Sequence, residues 1–149
     1  MKKSNSLFTK IVNKKAYFEY EILKDFTAGL ILVGPEVKSL RKNNANFTDS
    51  YCYVWDNEIF LKSMFIAKYN ESSWMNHEER RDRKLLLHKK EIKSIAKLCL
   101  DKGITIIPLE IFIVEGRFKI KIGVAKGKKL WNKKEDIKKR DIERELRIS

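Results

Sequence analysis

The chain has two cysteines, Cys52 and Cys99, and neither has a cysteine or histidine at metal-ligand spacing. That argues against a zinc ribbon or a disulfide-stapled domain and fits two reduced thiols in a cytoplasmic protein. His77 and His88 are the whole histidine complement, too few for a paired-histidine nuclease unless both lie in one site. No apolar run approaches the roughly 18–20 residues that span a bilayer. Lys10 interrupts the short apolar patch at Leu7-Phe8, so a secretory signal is not expected. P-loop, dinucleotide, GxSxG and HExxH patterns are all missing. Isolated acids such as Glu36, Asp49 and Glu110 have no partner at catalytic spacing. No catalytic residue, metal or cofactor is therefore expected. A small RNase using His88 and Lys84 as acid–base groups is the enzymatic alternative.

What the chain has is positive charge. Thirty-three Lys and Arg against 20 Asp and Glu leave +13, and 43% hydrophobic residues still suffice for a core. Such a balance favours a polyanionic partner, because each cation set against a phosphate releases condensed counterions. Lysines outnumber arginines 25 to 8, a sign of coding bias, so where the charges sit carries more meaning than their number. They gather in the tail, residues 126–149, which has ten basic and five acidic residues and few, scattered apolar positions, among them Ile137, Ile142 and Leu146. Glu135/Lys139 and Asp136/Arg140 are i,i+4 pairs that support a helix weakly. An isolated helix of this length is marginal in water, so the tail is expected to be disordered when free and helical when bound.

Three segments follow from the patterning: a flexible arm at 1–12, a body at 13–125 and the tail at 126–149. Tyr17, Phe18, Tyr20, Ile22 and Phe26 suggest a first strand, and 29–34, bounded by glycines, a second. Pro35 opens a helix through residue 42 that Asn43-Asn44 stop. Residues 50–56 and 58–66 read as a hairpin across Asp56-Asn57. Polar residues 67–83 read as a loop. Ile92, Ile95, Ala96, Cys99 and Leu100 line one face of a helix that ends at Gly103. Residues 104–114 and 117–125 form a hairpin across Glu115-Gly116, and its second strand alternates Phe118, Ile120, Ile122 and Val124 with Lys119 and Lys121. The fold class is mainly β, about six short strands with two or three helices, in a small closed or partly open antiparallel barrel.

The segments Asn13-Lys14-Lys15-Ala16, Gly34-Pro35-Glu36-Val37-Lys38-Ser39-Leu40-Arg41, Ala45-Asn46-Phe47-Thr48-Asp49-Ser50-Tyr51, Arg81-Asp82-Arg83-Lys84-Leu85-Leu86-Leu87-His88 and Gly123-Val124-Ala125-Lys126-Gly127-Lys128-Lys129 occur in that order. With them the chain resembles the small protein B (SmpB) family, the bacterial partners of transfer-messenger RNA (tmRNA), over nearly all of its length from Asn13. The resemblance implies an oligonucleotide/oligosaccharide-binding (OB)-like barrel that clamps the tRNA-like domain of tmRNA, which has an acceptor arm but no anticodon stem. It implies a tail that probes the empty mRNA channel of a stalled ribosome, leading to peptide tagging and ribosome rescue. The partners so implied are tmRNA and small-subunit ribosomal RNA, with neither DNA nor membrane, the protein being a monomer that binds one RNA.

By the same resemblance Asn13, Lys14, Lys38, Arg41, Asn46, Arg83, Lys84, Leu86 and His88 would contact tmRNA. Lys126, Lys128, Lys129, Trp131, Asn132, Lys133 and Lys134 would meet the decoding centre and mRNA channel. Each has a plainer reading: Lys38 and Arg41 as a solvated helix face, the asparagines as turn residues, Leu86 as core, Trp131 as a ring packed back on the barrel. Two positions depart from the family pattern. Asn132-Lys133-Lys134 stands where Asp-Lys-Arg is usual, and Thr27 where a glutamate is usual, a role that would otherwise fall to Glu36. The alternative function is a general OB-type RNA-binding or translation factor.

Overall fold

The computed structural model describes residues 10–69 and 78–128. Its order is β1 (Ile11–Val12), α1 (Lys14–Glu19), β2 (Tyr20–Leu30), α2 (Gly34–Arg41), β3 (Ala45–Asn46), β4 (Tyr51–Trp55), β5 (Glu58–Lys62), β6 (Phe65–Ile66), β7 (Arg83–Leu86), α3 (Lys89–Leu98), β8 (Ile104–Val114) and β9 (Arg117–Gly127). The described residues thus hold nine strands rather than about six.

The strand predicted from Tyr17 begins instead as a helix. Asn13 Oδ1 accepts the Ala16 N–H at 3.3 Å, the capping bond that starts α1. The aromatic residues there favour strand locally, but tertiary packing of Ala16 overrides that preference. β2 then runs unbroken to Leu30, so the separate strand predicted at 29–34 does not form. Its last residues lead into α2, where Glu36 accepts the Val33 N–H at 3.0 Å and Pro35 sits in the first turn. Asn43, at φ 60°, ends the helix, as the sequence indicated.

Asp56 and Asn57 both have positive φ, the geometry of a type I′ hairpin turn. The predicted partner strand at 58–66 is cut in two by Ser63 at φ 65°. Its second piece, β6, leaves the main sheet to pair with β3. Leu100, expected on the buried face of α3, is 84% exposed because the helix ends two residues earlier.

The main sheet is antiparallel in the order β1-β8-β4-β5-β7-β2-β9, and β8 also pairs with β9. That last pairing closes six strands into a barrel and removes the free edges. Inward residues from every strand of the ring, among them Phe26, Ala28, Cys52, Ile59, Leu61, Leu85, Ile106, Ile111, Phe118, Ile120, Ile122 and Val124, make one core that includes Leu40 of α2 and Ile95 of α3. Each of the larger aliphatic and aromatic side chains among them contributes about 1.5–3 kcal/mol by leaving water.

A second, small cluster lies where α1 covers the barrel's outer face: Ala16, Ile107, Leu109 and Ala125. The small outward residues of β9 follow from it, since a Cβ at Gly123 would lie 3.0 Å from Leu109 Cδ1 and 3.2 Å from Ile22 Cγ2. Two segment boundaries shift. Ile11 and Val12, assigned to the arm, pair with Ile111 and Glu110. Lys126 and Gly127, assigned to the tail, extend β9 against Glu21 and Tyr20. No helix among the described residues is long and apolar enough to cross a membrane.

Candidate nucleic-acid interface

Most of the described residues singled out in the sequence fall on two outer surfaces, one built on β7 and one beside β8. β7 sits three strands from β8 in either direction around the ring.

The first surface is built on β7, β2 and β9. Register sets Leu86 beside Gly29, and Gly29 beside Lys119. Leu86 is 54% exposed, so the core reading of this leucine is wrong. Gly29 keeps the row flat, because a Cβ there would stand 3.2 Å from Leu86 Cβ. His88 is exposed at the start of α3, its backbone N–H held by Glu91 Oε1 at 3.0 Å. Lys84 is half-exposed and pairs with Glu58 at 2.6 Å. Thr27 and Lys121 are the next outward pair along β2 and β9. A flat apolar and imidazole surface edged with lysines suits stacking on an unpaired base and gripping its phosphate. The sequence analysis missed Lys119 and Lys121 as site residues, although their alternation with apolar partners marked them as one outward face.

Arg83 does not belong to this surface. Its side chain is fully buried, with Nε donating to Glu36 Oε2 at 2.6 Å and a terminal nitrogen donating to the Met64 carbonyl at 2.7 Å. Strand alternation explains the correction: Arg83 and Leu85 point inward while Lys84 and Leu86 point out. Glu36 also receives two hydrogen bonds from Arg81, at 3.0 and 2.6 Å. Burial pushes the Glu36 carboxyl up, but hydrogen bonds from Arg81 and the Val33 N–H, with the Arg83 charge, outweigh it and hold the pKa below the usual value. Burial draws the Arg83 pKa down, opposed by Glu36. Glu36 is therefore fully engaged in joining α2 to β7 and cannot stand in for the glutamate that Thr27 replaces.

Lys38 and Arg41 are both exposed on α2. Lys38 lies 5.2 Å and Lys42 4.9 Å from the centre of the Tyr69 ring, so the helix presents a cation–aromatic patch. Lys42 escaped the sequence analysis because its aromatic partner is distant in the chain.

The second surface is a groove of about 690 Å³ between α1, the segment 45–51 and β8. Asn13, Lys14 and Asn46 line it together, with Tyr20, Thr48, Ser50 and Tyr51. Asn13 has a structural duty besides its cap: Nδ2 donates to the Pro108 carbonyl at 2.8 Å, stapling α1 to β8. β9 ends at the groove's rim, where the Lys128 N–H donates to the Glu19 carbonyl at 2.9 Å and Gly127 lies against the Tyr20 ring. Lys126 is exposed there. Lys129, Trp131, Asn132, Lys133 and Lys134, and the tail's conformation, lie outside the described residues.

Neither cysteine is bonded to another; burial pushes the Cys52 thiol strongly up and raises Cys99 less. Among the described residues no cluster of His, Cys, Asp or Glu could hold a metal ion.

A closed basic barrel with lysine-edged stacking surfaces, its last strand leading into a cationic extension, is a small barrel protein of the kind that meets a polyanion. Comparison narrows the class. The family described as SmpB protein matches residues 10–149. The SsrA-binding protein of Syntrophobacter fumaroxidans is 46% identical over 134 residues, spanning 90% of this chain and 83% of that one. That of Thermosipho melanesiensis is 48% identical over 136 residues, spanning 91% and 92%. A solved chain from "tmRNA-SmpB: a journey to the center of the bacterial ribosome" superposes with a TM-score of 0.69 at 42% identity, covering 81% of this chain and 85% of that one. The chain belongs to the SmpB family.

Proposed function

We propose that the protein is a non-enzymatic tmRNA-binding adaptor of trans-translation, acting in the cytoplasm as a monomer on one RNA. The observation that carries this reading is family membership along residues 10–149, tail included, together with a relative of the same fold whose description names tmRNA and the ribosome. The barrel is the RNA-holding module, and residues from Lys128 onward are the probing module. In this reading Leu86, His88, Lys84, Lys119 and Thr27 face the tRNA-like domain, Asn13, Lys14 and Asn46 also contact tmRNA, and Lys38 and Arg41 grip backbone phosphates from a rigid helix. Lys126, Lys128, Lys129, Lys133 and Lys134 follow ribosomal RNA, and Trp131 stacks on a base in the vacated channel. Asn132 lacks the charge of the aspartate usual in the family, so this part of the tail works by charge and stacking.

A gel shift with a minimal tRNA-like RNA lacking an anticodon arm tests the assignment, with ordinary tRNA as competitor. Strong preference for the former is expected. Equal competition would turn the reading into that of a general RNA-binding barrel. RNA cleavage abolished by His88→Ala would make it a nuclease.

A further inference from the structure

The outer face of the β4–β5 hairpin holds aromatic side chains that the adaptor reading does not use. Alternation turns Cys52, Ile59 and Leu61 into the core and leaves Tyr53 and Trp55 of β4, with Glu58 and Phe60 of β5, on the outside. Register sets Tyr53 beside Phe60 and Trp55 beside Glu58. The Tyr53 and Phe60 rings stack with centroids 5.5 Å apart, and the Tyr53 hydroxyl donates to Asp82 Oδ2 at 2.7 Å, so this pair is fixed in place. Trp55, next to it on the strand, is 70% exposed. Tyr51 and Lys62 end the face where the hairpin reaches the groove beside α1. One exposed ring on a surface is ordinary, but a contiguous aromatic row with polar edges marks an interaction surface.

The charges around these rings select the partner. In a chain of net charge +13, this face carries Asp56, Glu58 and Asp82 against Lys84, whose charge Glu58 cancels at 2.6 Å. Asp56 and Asp82 are exposed, so phosphates brought here would be repelled. We infer that the face docks an arginine-bearing segment of a partner protein. Trp55 offers its ring to a guanidinium, Asp56 beside it in the turn supplies the countercharge, and Glu58 across the hairpin accepts an N–H. Arginine suits the place better than lysine, because a planar guanidinium stacks on the indole and still donates sideways to carboxylates. The stacked Tyr53 and Phe60 rings continue the apolar track for the residues that follow. On its other side the face adjoins β7, where Lys84 stands beside Phe60. A segment docked here lies next to RNA held on β7, whose phosphates attract a basic chain and repel an acidic one; this last step alone rests on the adaptor reading.

The test uses the full-length protein and a synthetic dodecapeptide that alternates arginine with threonine, following backbone amide and tryptophan indole resonances. The peptide should shift the Trp55 indole N–H and the amides at 53–60. Trp55→Ala should weaken the response at 53–60 about three- to fivefold, the scale of one exposed cation–aromatic contact. Trp55→Phe should restore part of it. Asp56→Asn should weaken it independently, since asparagine also adopts the positive φ of that turn position. A peptide with lysine for arginine should bind more weakly. Unmoved resonances at 53–60, or an undiminished response in Trp55→Ala, would overturn the site. A single-stranded hexaribonucleotide that shifts 53–60 more than the peptide does would make the face an RNA surface. Shifts there on deleting residues 129–149, without peptide, would make the chain's own tail the occupant, and shifts on concentrating the protein alone would make it a second copy; each overturns the inference. Failure of the two readings is distinguishable. Preference for tRNA-like RNA with no peptide response at 53–60 removes only the docking face, whereas that response without the preference removes only the adaptor assignment.

Discussion

Replacing Glu36 with glutamine removes one negative charge and leaves two guanidinium groups facing a neutral amide. Arg83 is the group that suffers, since its side chain has no exposure and its Nε loses a 2.6 Å charge-assisted bond. Arg81 is 28% exposed and can turn toward water, so it adds less. Breaking a buried pair by removing one partner costs about 3–5 kcal/mol, because the survivor's desolvation is no longer offset. That is a large share of the roughly 5–15 kcal/mol that holds a small domain together. Urea unfolding should show a midpoint lowered accordingly with an unchanged slope. The sign of the pH dependence follows from the lowered Glu36 pKa. The folded carboxyl holds its proton less tightly than the unfolded one, so its contribution is fully present above the ordinary value near 4.3 and is lost as pH falls through the folded value. The wild type should therefore lose stability below about pH 4, and that loss should be smaller in Glu36→Gln. A midpoint change worth under about 1 kcal/mol at neutral pH would refute the view that this ion pair joins α2 to β7.

Three further outcomes are expected. Gly123→Val should destabilise the barrel by about 1–3 kcal/mol in thermal or urea unfolding, because its side chain would collide with Leu109 and Ile22 beneath α1; an unchanged midpoint would show that α1 can lift freely. Leu86→Ala should weaken binding to a tRNA-like RNA by about tenfold in a gel shift, the scale of an apolar side chain partly buried against RNA, while leaving the unfolding midpoint in place, since the side chain is exposed. Truncation after Gly127 should preserve affinity for that RNA and abolish peptide tagging in a reconstituted translation assay; equal loss of both would refute the division into barrel and tail.

Local chemistry determined much of this protein in advance. Pro35 and Asn43 bound α2, the Asp56-Asn57 and Glu115-Gly116 turns fix two hairpins, and the alternation from Phe118 to Val124 declares which face of β9 is wet. In each case the cause lies within a few residues of its effect. The motif order likewise carried the family assignment, and the barrel class followed from the hairpins. Other features needed the folded chain. Tyr17 and Phe18 have strand preferences that lose to the packing of Ala16 over β8 and β9, so a short helix stands where a strand was expected. Arg83 belongs to a cationic motif, yet alternation along β7 turns it inward to a carboxylate 47 positions away in the chain. The groove joins Asn13 to Asn46, and ring closure joins β2 to β9 on one side and to β7 on the other. Such contacts depend on long-range pairing whose loop entropy is offset only when the whole barrel closes, so no local pattern records them.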